Sequence, residues 1–305
     1  MNVASRSDAP RALVTGLGGF TGRYLASELE VAGYRVFGTA HGNEPLSKDM
    51  VAVDLDNREE LRRVVAEVRP DAVAHLAAIS FVAHGDVEAI YRTNVVGTRN
   101  LLEALAGLEQ RPRAVLLASS ANIYGNAAVE IIDELVPPSP SNDYAVSKLA
   151  MEFLARLYFD RLPIILARPF NYTGVGQAGN FLLPKIVDHF CRHASVIELG
   201  NLDVARDFSD VRMVAQVYRR LLETPEALGG VFNVCSGRAY SLRDVLAMAA
   251  SLSGHSLEVK VNPAFVRAND VRVLRGSRAK LESVIGPVDD IGLEETLRWM
   301  LGAAA

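Results

Sequence analysis

Short, continuously apolar segments alternate with longer amphipathic segments through the first half of the chain. The apolar segments predict strands at 12–15, 34–39, 50–55, 72–77, 114–119 and 164–167. The intervening segments carry apolar residues at helical spacing and predict helices at 21–32, 58–68, 88–108 and 141–161. Strands without polar alternation are buried on both faces, and the intervening helices can cover both faces of one sheet. The pattern therefore predicts an α/β fold with a doubly wound parallel sheet.

The alternation ends after Pro169. The later segments predict strands at 195–199, 231–234 and 257–261, helices at 183–193, 241–252 and 293–301, and a polar loop at 262–276. We assign residues 1–170 and about 210–235 to the domain that contains the sheet. Residues of about 171–209 and 236–305 are assigned to a smaller α/β domain.

Charge and cysteine content exclude several classes of protein. Of the 305 residues, 32 are Lys or Arg and 36 are Asp or Glu, so a clustered positive field for nucleic acid or anionic membranes is not expected. Cys191 and Cys235 are too few for a disulfide framework and lack metal-ligand spacing, which indicates structural thiols in a reducing compartment and no metal. Without a signal-peptide core or an apolar segment of about 20 residues, the protein is expected to be soluble and cytoplasmic.

A glycine-rich turn joins the first predicted strand to the first predicted helix. Gly16, Gly19 and Gly22 are spaced three residues apart in this turn. Glycine allows the backbone to approach a pyrophosphate closely, and the helix N-terminus attracts its negative charge. The position of this turn between strand and helix predicts a dinucleotide-binding Rossmann domain.

The end of the second predicted strand bears on the choice of dinucleotide. It reads Gly38-Thr39-Ala40-His41 and lacks the carboxylate that typically binds the adenosine ribose of NAD. This favours NADP(H), while NAD(H) remains possible. His41 or Arg23 could hold a 2′-phosphate, or each could be an ordinary surface residue.

Tyr144 and Lys148 lie four residues apart in a predicted helix and therefore on one face. A nearby ammonium favours the phenolate, so we expect Lys148 to lower the pKa of Tyr144 and adapt it to proton exchange with a sugar oxygen. Ser119 and Ser120 end a predicted strand, where a doubly wound sheet binds its ligands.

The sequence resembles the extended short-chain dehydrogenase/reductases, the NAD(P)-dependent sugar epimerases and dehydratases that act on nucleotide sugars. The motifs that carry the resemblance are TGLGGFTG at 15–22, HLAA at 75–78, TNVVGT at 93–98, SSANIYG at 119–125, YAVSK at 144–148, ARPFN at 167–171 and RDFSDV at 206–211. The resemblance implies a catalytic triad of Ser120, Tyr144 and Lys148, in which Ser120 binds the carbonyl and Lys148 also orients the ribose. Tyr144 and Lys148 also contact the cofactor, whose other implied binding residues are Gly16, Gly19, Phe20, Thr21, Gly22, Asp54, Leu55, Leu76, Ala77, Ala78 and Asn94.

The resemblance also implies that the smaller domain binds a nucleotide sugar. The corresponding substrate-binding residues are Asn171, Leu183, Lys185, Arg206 and Arg267, in which the arginines would hold the diphosphate. Met213 departs from the family's RDF-x-x-V-x-D pattern, which has an aspartate there. The helical segments at 88–108 and 142–160 resemble those that form a homodimer interface in the family. His75, on a predicted strand, is expected to be a core residue rather than a catalytic one.

The residues just after Ser120 discriminate between reactions of the family. Dehydratases that resemble this chain have a glutamate at the position of Asn122, and one branch has an aspartate at the position of Ala121. An amide cannot exchange protons at neutral pH, so 4,6-dehydration is disfavoured. The branch that epimerises and reduces GDP-fucose precursors has a cysteine at the Asn122 position and is disfavoured too. Reduction of a 4-keto sugar and 4-epimerisation through a transient ketone remain.

The second half of the chain favours the reductase. The segments at 199–208, 233–237 and 262–281 resemble GDP-4-keto-6-deoxymannose reductases and their GDP-mannose 4,6-dehydratase relatives. The expected reaction is therefore NAD(P)H-dependent reduction of the C4 ketone of a GDP-linked 4-keto-6-deoxy sugar. An NAD-dependent 4-epimerase is the alternative. A GDP-mannose 4,6-dehydratase and a regulator that binds the dinucleotide without catalysis are less favoured, since the regulator class typically lacks the Tyr–Lys pair.

Overall fold

The computed structural model describes residues 9–40, 49–80, 85–127, 129–265 and 273–304. The strands in these ranges are β1 (Arg11–Thr15), β2 (Arg35–Ala40), β3 (Met50–Ala52), β4 (Ala72–His75), β5 (Ala114–Ala118), β6 (Ile164–Pro169), β7 (Asn171–Thr173), β8 (Val196–Leu199), β9 (Ala205–Asp210), β10 (Val231–Val234), β11 (Ala239–Ser241), β12 (Glu258–Val261) and β13 (Val273–Leu274). The α-helices are α1 (Phe20–Val31), α2 (Arg58–Val68), α3 (Val87–Tyr91), α4 (Thr98–Ala106), α5 (Asp143–Arg156), α6 (Leu182–Cys191), α7 (Val211–Glu223), α8 (Leu242–Ser253), α9 (Ala279–Ile285) and α10 (Leu293–Ala304).

Seven parallel strands form the central sheet in the order β10-β6-β5-β4-β1-β2-β3. The chain moves outward from β1 through β2 to β3, then returns to β4 and continues in the opposite direction. The strand order therefore reverses between β1 and β4, where the carboxyl ends of the two strands diverge and a crevice for a ligand forms. The predicted doubly wound parallel sheet is confirmed.

Helices cover both faces of this sheet, as its continuously apolar strands require. On one face, α1 and α7 pack their buried residues Leu25, Leu29, Val214 and Leu221 against the sheet. On the other face, α2, α4 and α5 contribute a second apolar cluster that includes Leu61, Leu101, Leu105 and Met151. No helix among the described residues is long and apolar enough to cross a membrane.

A third apolar cluster lies among the later elements. It joins α6, α8 and α10 to strands β8 and β9 through residues such as Ile186, Val245 and Leu297. Strand β9 pairs with β7, β11 and β13, and β8 pairs with β12. The division of the chain into two domains, at the boundaries given above, remains a prediction.

The structure differs from the sequence-based elements in several places. The helix predicted at 88–108 is interrupted by a π-helical turn at Arg92–Gly97, which separates α3 from α4. Helices α7 and α9 and strands β7, β9, β11 and β13 were not predicted. The polar loop expected at 262–276 contains a 3₁₀ turn at Pro263–Phe265 and strand β13, with 266–272 outside the described residues. Strands β7, β11 and β13 are two or three residues long and carry little periodicity, whereas α7 has 13 residues and a clear buried face that the sequence-based assignment overlooked.

The surroundings of Met213 explain why this chain can lack the aspartate that the family pattern has at this position. Its side chain is 4% exposed and belongs to the apolar cluster beneath the central sheet. Asp210 caps α7 by accepting the Arg212 backbone N–H at 2.7 Å, and it also accepts from the hydroxyl of Thr296 on α10 at 2.7 Å. An aspartate three residues before Met213 thus links α7 to α10, while Met213 itself fills the core.

Candidate active site

The glycine-rich turn after β1 packs so tightly that a side chain at Gly16 or Gly22 would collide with backbone atoms. A Cβ on Gly22 would lie 2.3 Å from the carbonyl oxygen of Gly16 and 2.6 Å from that of Leu17. Gly16 has a φ of +71°, and a Cβ there would lie 3.0 Å from the backbone N and Cα of Ala77, which follows β4. The turn therefore lies at the crevice between β1 and β4. Gly16 and Gly22 are therefore required by the fit of backbone against backbone, while a Cβ on Gly19 would lie 3.1 Å from the carbonyl oxygen of Gly16.

Helix α1 begins directly after this turn. Its N-cap is Gly19, which offers no side-chain hydrogen bond to the first N–H groups of the helix. Such N–H groups and the positive end of the helix dipole bind the pyrophosphate of dinucleotides. The backbone turn that a Cβ would fill and the N-terminus of α1, which has no side-chain cap, fit a dinucleotide, as the sequence predicted.

The predicted walls of the cofactor cleft follow β3 and β4. Asp54 is exposed and Leu55 is buried after β3, while Leu76, Ala77 and Ala78 follow β4 and are half-buried. These residues lie on both sides of the crevice because β1 is paired with β4 on one side and with β2 on the other. Their binding role remains a prediction.

Asn94, in the π-helical turn, holds the segment after β4 in place. Its side-chain oxygen accepts the Ile79 N–H at 2.9 Å, and its amide donates to the Ile79 carbonyl at 3.2 Å and to the Ser147 hydroxyl at 3.0 Å. Ser147 in turn donates to the carbonyl of Tyr144 at 2.7 Å. Asn94 is 1% exposed. Through these hydrogen bonds it connects the predicted cofactor cleft to the helix that carries Tyr144.

His75 lies beneath the crevice and is buried, as expected for a core residue. Its Nδ1 is 2.7 Å from the Thr15 hydroxyl and its Nε2 is 2.8 Å from the Thr98 hydroxyl. Burial, reinforced by the positive charge of Lys148, lowers the pKa of His75 to about 3. His75 is therefore neutral at neutral pH and links β1, β4 and α4.

Ser120, Tyr144 and Lys148 come together at the carboxyl end of β5. Ser120 follows this strand, and its hydroxyl caps the next 3₁₀ turn by accepting the Asn122 N–H at 3.2 Å. Tyr144 lies in the first turn of α5, and its phenol is hydrogen-bonded to the Ser120 hydroxyl. Lys148, one turn later, donates to the Ala118 carbonyl at 2.7 Å. All three side chains are buried.

The pKa values of this group differ from the sequence-based expectation. Burial raises the pKa of Tyr144 to about 12, and the hydrogen bond with Ser120 acts in the opposite direction without cancelling the effect of burial. Burial lowers the pKa of Lys148 to about 8, while the carboxylate of Glu152 opposes that fall. The expected lowering of the Tyr144 pKa by Lys148 is wrong for this structure, because burial of the phenol raises its pKa and the ammonium donates to the Ala118 carbonyl instead. The phenol is therefore protonated at neutral pH.

The predicted substrate-binding residues are found in different surroundings. Asn171, on β7, has a buried side-chain amide nitrogen without a hydrogen-bond partner in the described part of the chain. Lys185 donates to the Glu198 carbonyl at 2.8 Å, and its ammonium lies 4.7 Å from the ring centre of Phe265. Leu183, by contrast, is 2% exposed and its side chain belongs to the third apolar cluster.

The two arginines predicted to hold a diphosphate also differ. Arg206 is half-buried on β9, and its guanidinium donates to the Ala205 carbonyl at 2.9 Å. Arg267 lies outside the described residues, as does His41. Arg23 donates to the Gly176 carbonyl at 3.2 Å, so its guanidinium connects α1 to the segment after β7.

Two groups of residues near the site were missed. Tyr172 stacks on Phe20 with ring centres 6.0 Å apart, and its hydroxyl is 2.8 Å from that of Thr21. Glu152 and Arg168 form a buried ion pair at 2.7 Å behind the end of β5. Glu152 is four residues after Lys148 on the same helical face, a spacing that could have revealed it.

Among the described residues, no group of three or more His, Cys, Asp or Glu side chains could hold a metal ion. Cys235 is buried and Cys191 is partly buried, and both are free thiols. Burial raises the pKa of both thiols, so neither has the character of a reactive thiolate.

The parallel sheet carries a glycine-rich turn that fits a dinucleotide, at the point between β1 and β4 where the strand order reverses. Together with the Ser120–Tyr144–Lys148 group, this arrangement defines an oxidoreductase of the extended short-chain dehydrogenase/reductase type. Comparison with known families agrees, because the family model described as GDP-mannose 4,6-dehydratase matches residues 13–300. The chain belongs to this family.

Two relatives of known name align along nearly the whole chain. A GDP-6-deoxy-D-talose 4-dehydrogenase from Aggregatibacter actinomycetemcomitans is 35% identical over 275 residues, 90% of each chain. A GDP-6-deoxy-D-mannose reductase from Pseudomonas aeruginosa is 36% identical over 303 residues, 95% of this chain and 96% of the relative.

Solved structures show the same architecture. RMD from Pseudomonas aeruginosa, complexed with NADPH, has a TM-score of 0.85 and 34% identity, with 97% of both chains covered. A protein from Burkholderia cenocepacia J2315, described only provisionally as an epimerase, has a TM-score of 0.92 and 54% identity, with 97% of this chain and 98% of that chain covered.

Proposed function

We propose that this protein catalyses NAD(P)H-dependent reduction of the C4 ketone of a nucleotide-linked 4-keto-6-deoxy sugar, with GDP-4-keto-6-deoxymannose as the favoured substrate. The observation that carries the proposal is the buried Tyr144 phenol, which is hydrogen-bonded to Ser120 and has a pKa of about 12. Reduction of a ketone needs a proton donor for the new hydroxyl, and a neutral phenol is such a donor. Both named relatives are described as oxidoreductases of a GDP-linked 6-deoxy sugar.

Each residue of the site has a part in this mechanism. Bound NAD(P)H supplies the hydride. Ser120 would bind the substrate carbonyl, and Tyr144 would give its proton to O4. The ammonium of Lys148 would orient the nicotinamide ribose. The glycines at 16, 19 and 22 would bind the pyrophosphate on the N-terminus of α1.

Dehydration is not favoured by the residues beside Ser120. Asn122 and Ala121 lie on the 3₁₀ turn after Ser120, and neither side chain can remove or supply a proton. A 4,6-dehydratase needs an acid–base group there to remove the C5 proton and expel the C6 hydroxyl. The chain belongs to a family named for that reaction, so we infer that the family's hydride-transfer chemistry is retained and its elimination step is lost.

A 4-epimerase is the second candidate function. It is favoured by the Burkholderia cenocepacia structure, which is provisionally described as an epimerase and is 54% identical to this chain. Epimerisation begins with oxidation of the sugar hydroxyl and needs a phenolate to take its proton. Reduction instead uses a proton that the buried phenol already holds.

We further propose that NADPH is the preferred reductant. The described part of the second strand ends at Thr39 and Ala40, so no carboxylate stands there to repel a 2′-phosphate. The P. aeruginosa RMD structure contains NADPH. A higher kcat/KM with NADPH than with NADH would agree with this preference, and the reverse order would contradict it.

We also propose that the protein is a homodimer that uses α5. Phe153 on this helix is 60% exposed, Leu157 at its C-terminus is 72% exposed, and Val146 is 38% exposed. Exposed apolar side chains on one helix are typical of an interface between copies. Sedimentation should give a dimeric mass for the wild type and a monomeric one for Phe153→Asp, whereas a monomeric wild type would refute the proposal.

The reductase activity is tested by incubating purified protein with GDP-4-keto-6-deoxymannose and NADPH. Oxidation of NADPH in step with loss of the ketone supports the reductase. Conversion of a nucleotide sugar without net oxidation of NADPH supports the epimerase, and inertness towards both classes of substrate would revive a regulator that binds the dinucleotide without catalysis.

The Tyr144→Phe variant tests the role of the phenol. It should bind NADPH nearly as well as the wild type but lose turnover by about a hundredfold or more, as expected for a missing general acid. Tyr34→Phe, which removes a hydroxyl outside the site, is the matched control and should keep wild-type turnover. Substantial turnover by Tyr144→Phe would remove the tyrosine from its proposed role.

A further inference from the structure

A buried ion pair lies behind the active site and has no part in the mechanism above. The guanidinium of Arg168, on β6, donates to both carboxylate oxygens of Glu152, on α5, through Nε at 2.9 Å and Nη2 at 2.7 Å. The side chains are 4% and 1% exposed. A pair this deeply buried loses its hydration, and its mutual attraction often only offsets that loss. Stability alone is therefore a weak explanation for its presence.

The pair contacts both segments that flank Ser120. The hydroxyl of Ser119 donates to Glu152 at 2.6 Å, and Nη1 of Arg168 donates to the hydroxyl of Tyr124 at 2.8 Å. Tyr124 in turn donates to the side-chain oxygen of Asn233, on β10, at 2.8 Å. The residue before Ser120 and the end of the 3₁₀ turn after it are thus held by one buried network.

The same carboxylate influences Lys148. Glu152 lies one helical turn after Lys148 and is the charged group that opposes the effect of burial on this lysine. Two other titratable groups near Lys148 are uncharged at neutral pH: Tyr144 because burial raises its pKa, and His75, on β4, because burial lowers its own. Arg168 on β6 is a cation, but it is bound to Glu152.

We propose that Glu152 is a positioning residue for the reaction: it keeps Lys148 charged and, together with Arg168, fixes the end of β5 that carries Ser120. The inference rests on the proposed reductase function, in which Lys148 acts as an ammonium. It assigns to one carboxylate two effects, an electrostatic effect on Lys148 and a geometric effect on Ser120.

The electrostatic effect is tested by the pH dependence of kcat/KM. With a pKa of about 8 for Lys148 and about 12 for Tyr144, activity should fall on the alkaline side as Lys148 loses its proton. In Glu152→Gln the opposing charge is gone, so this alkaline limb should move to lower pH by about one unit or more, the effect expected of one nearby opposite charge. Glu152→Asp, which keeps the charge, should restore the limb in large part.

Two further variants keep the test decisive. Glu152→Gln leaves Arg168 without its counter-ion and could fail to fold, so the double variant Glu152→Gln/Arg168→Met removes both buried charges together. It should shift the alkaline limb in the same direction but by less, because the positive charge of Arg168 is removed as well. Glu103→Gln is the matched control, because Glu103 also accepts a side-chain hydroxyl, that of Tyr158 at 2.6 Å, yet is not among the groups that act on Lys148. It should keep the wild-type profile.

The geometric effect is tested by Ser119→Ala, which removes the 2.6 Å bond to Glu152 and leaves the charge in place. It should lower kcat several-fold with little change in KM or in the alkaline limb. An alkaline limb that stays in place in a folded Glu152 variant would refute the proposal, as would a Ser119→Ala variant with wild-type kcat.

Failure of the reductase proposal would be recognised separately, because the wild type itself would then not oxidise NADPH. In that event a second measurement still tests the effect of Glu152 on Lys148. The difference in unfolding free energy between Lys148→Met and its parent should change with pH around the pKa of Lys148. That pH should be lower in a Glu152→Gln background, and an unchanged value would refute the electrostatic effect.

Discussion

Replacement of His75 by Gln tests how the core beneath the active site depends on pH. Thr98 donates its hydroxyl proton to the Asn94 carbonyl at 2.8 Å, so it can only accept from Nε2 of His75. Thr15 accepts the Ala77 N–H at 3.2 Å and can donate to Nδ1. The neutral tautomer with its proton on Nε2 donates to Thr98 and accepts from Thr15. An imidazolium would donate through Nδ1 as well, which would leave the hydroxyl proton of Thr15 without this acceptor. The site therefore resists protonation through burial and also through its hydrogen bonds.

The magnitude follows from the two pKa values. The pKa of His75 falls from 6.5 to about 3 on folding. The folded state thus binds this proton less readily, so the contribution of His75 to stability is complete above pH 6.5 and is lost as the pH falls towards 3. Each pKa unit corresponds to about 1.4 kcal/mol, so the loss is about 1.4 kcal/mol near pH 5.5, about 2.7 kcal/mol near pH 4.5 and about 5 kcal/mol below pH 3.

The assay is urea unfolding of the wild type and of His75→Gln between about pH 7.5 and about pH 4.5. Carboxylates that titrate in this range are common to both proteins and cancel in the difference. The wild type should lose about 2.7 kcal/mol more than the variant across the range. His193→Gln, at an exposed imidazole, is the matched control for loss of a histidine. Parallel stability curves for the wild type and His75→Gln would refute the reasoning.

Three further predictions concern the backbone cradle, a buried carboxylate and the core. Gly22→Ala should weaken NADPH binding at least tenfold in a fluorescence titration, because its Cβ would lie 2.3 Å from a backbone oxygen, whereas Gly302→Ala, with open space around the Cβ, should bind normally. Asp207→Asn should lower the unfolding free energy by about 2 kcal/mol, since this buried carboxylate accepts from the N–H groups of Ser236 at 2.8 Å and Gly237 at 2.9 Å; unchanged urea unfolding would contradict this. Met213→Asp, which introduces the family's aspartate, should lower it by about 3 kcal/mol or more, because the side chain would be buried among apolar residues; a smaller loss would show that the aspartate finds a partner there.

The sequence was sufficient for features that depend on local pattern. Strands β1, β2, β4, β5, β6 and β10 were predicted because buried parallel strands are continuously apolar. The glycine turn was predicted because only glycine permits its backbone contacts, and Tyr144 and Lys148 because one helical turn separates them. The family was identified from these motifs, and the family model that matches residues 13–300 confirms it.

Local pattern was less informative in the second half of the chain. Strands β7, β9, β11 and β13 belong to one small sheet whose members come from distant parts of the sequence. Two of them are three residues long and one is two residues long, too short for a periodicity to register. The four were missed because their hydrogen-bond partners, rather than their composition, make them strands.

The sequence by itself determined which chemical groups meet at the candidate active site: a phenol, an ammonium and a hydroxyl, ordered by a helix and a strand end. Only the tertiary structure decided the protonation states of those groups. Burial, which no local pattern reports, raises the pKa of Tyr144 and lowers the pKa of Lys148. The tertiary structure also brings Glu152 on α5 and Arg168 on β6 together in one buried ion pair. Charge in a protein depends on the surrounding dielectric and on neighbours in space, and both arise only when the chain has folded.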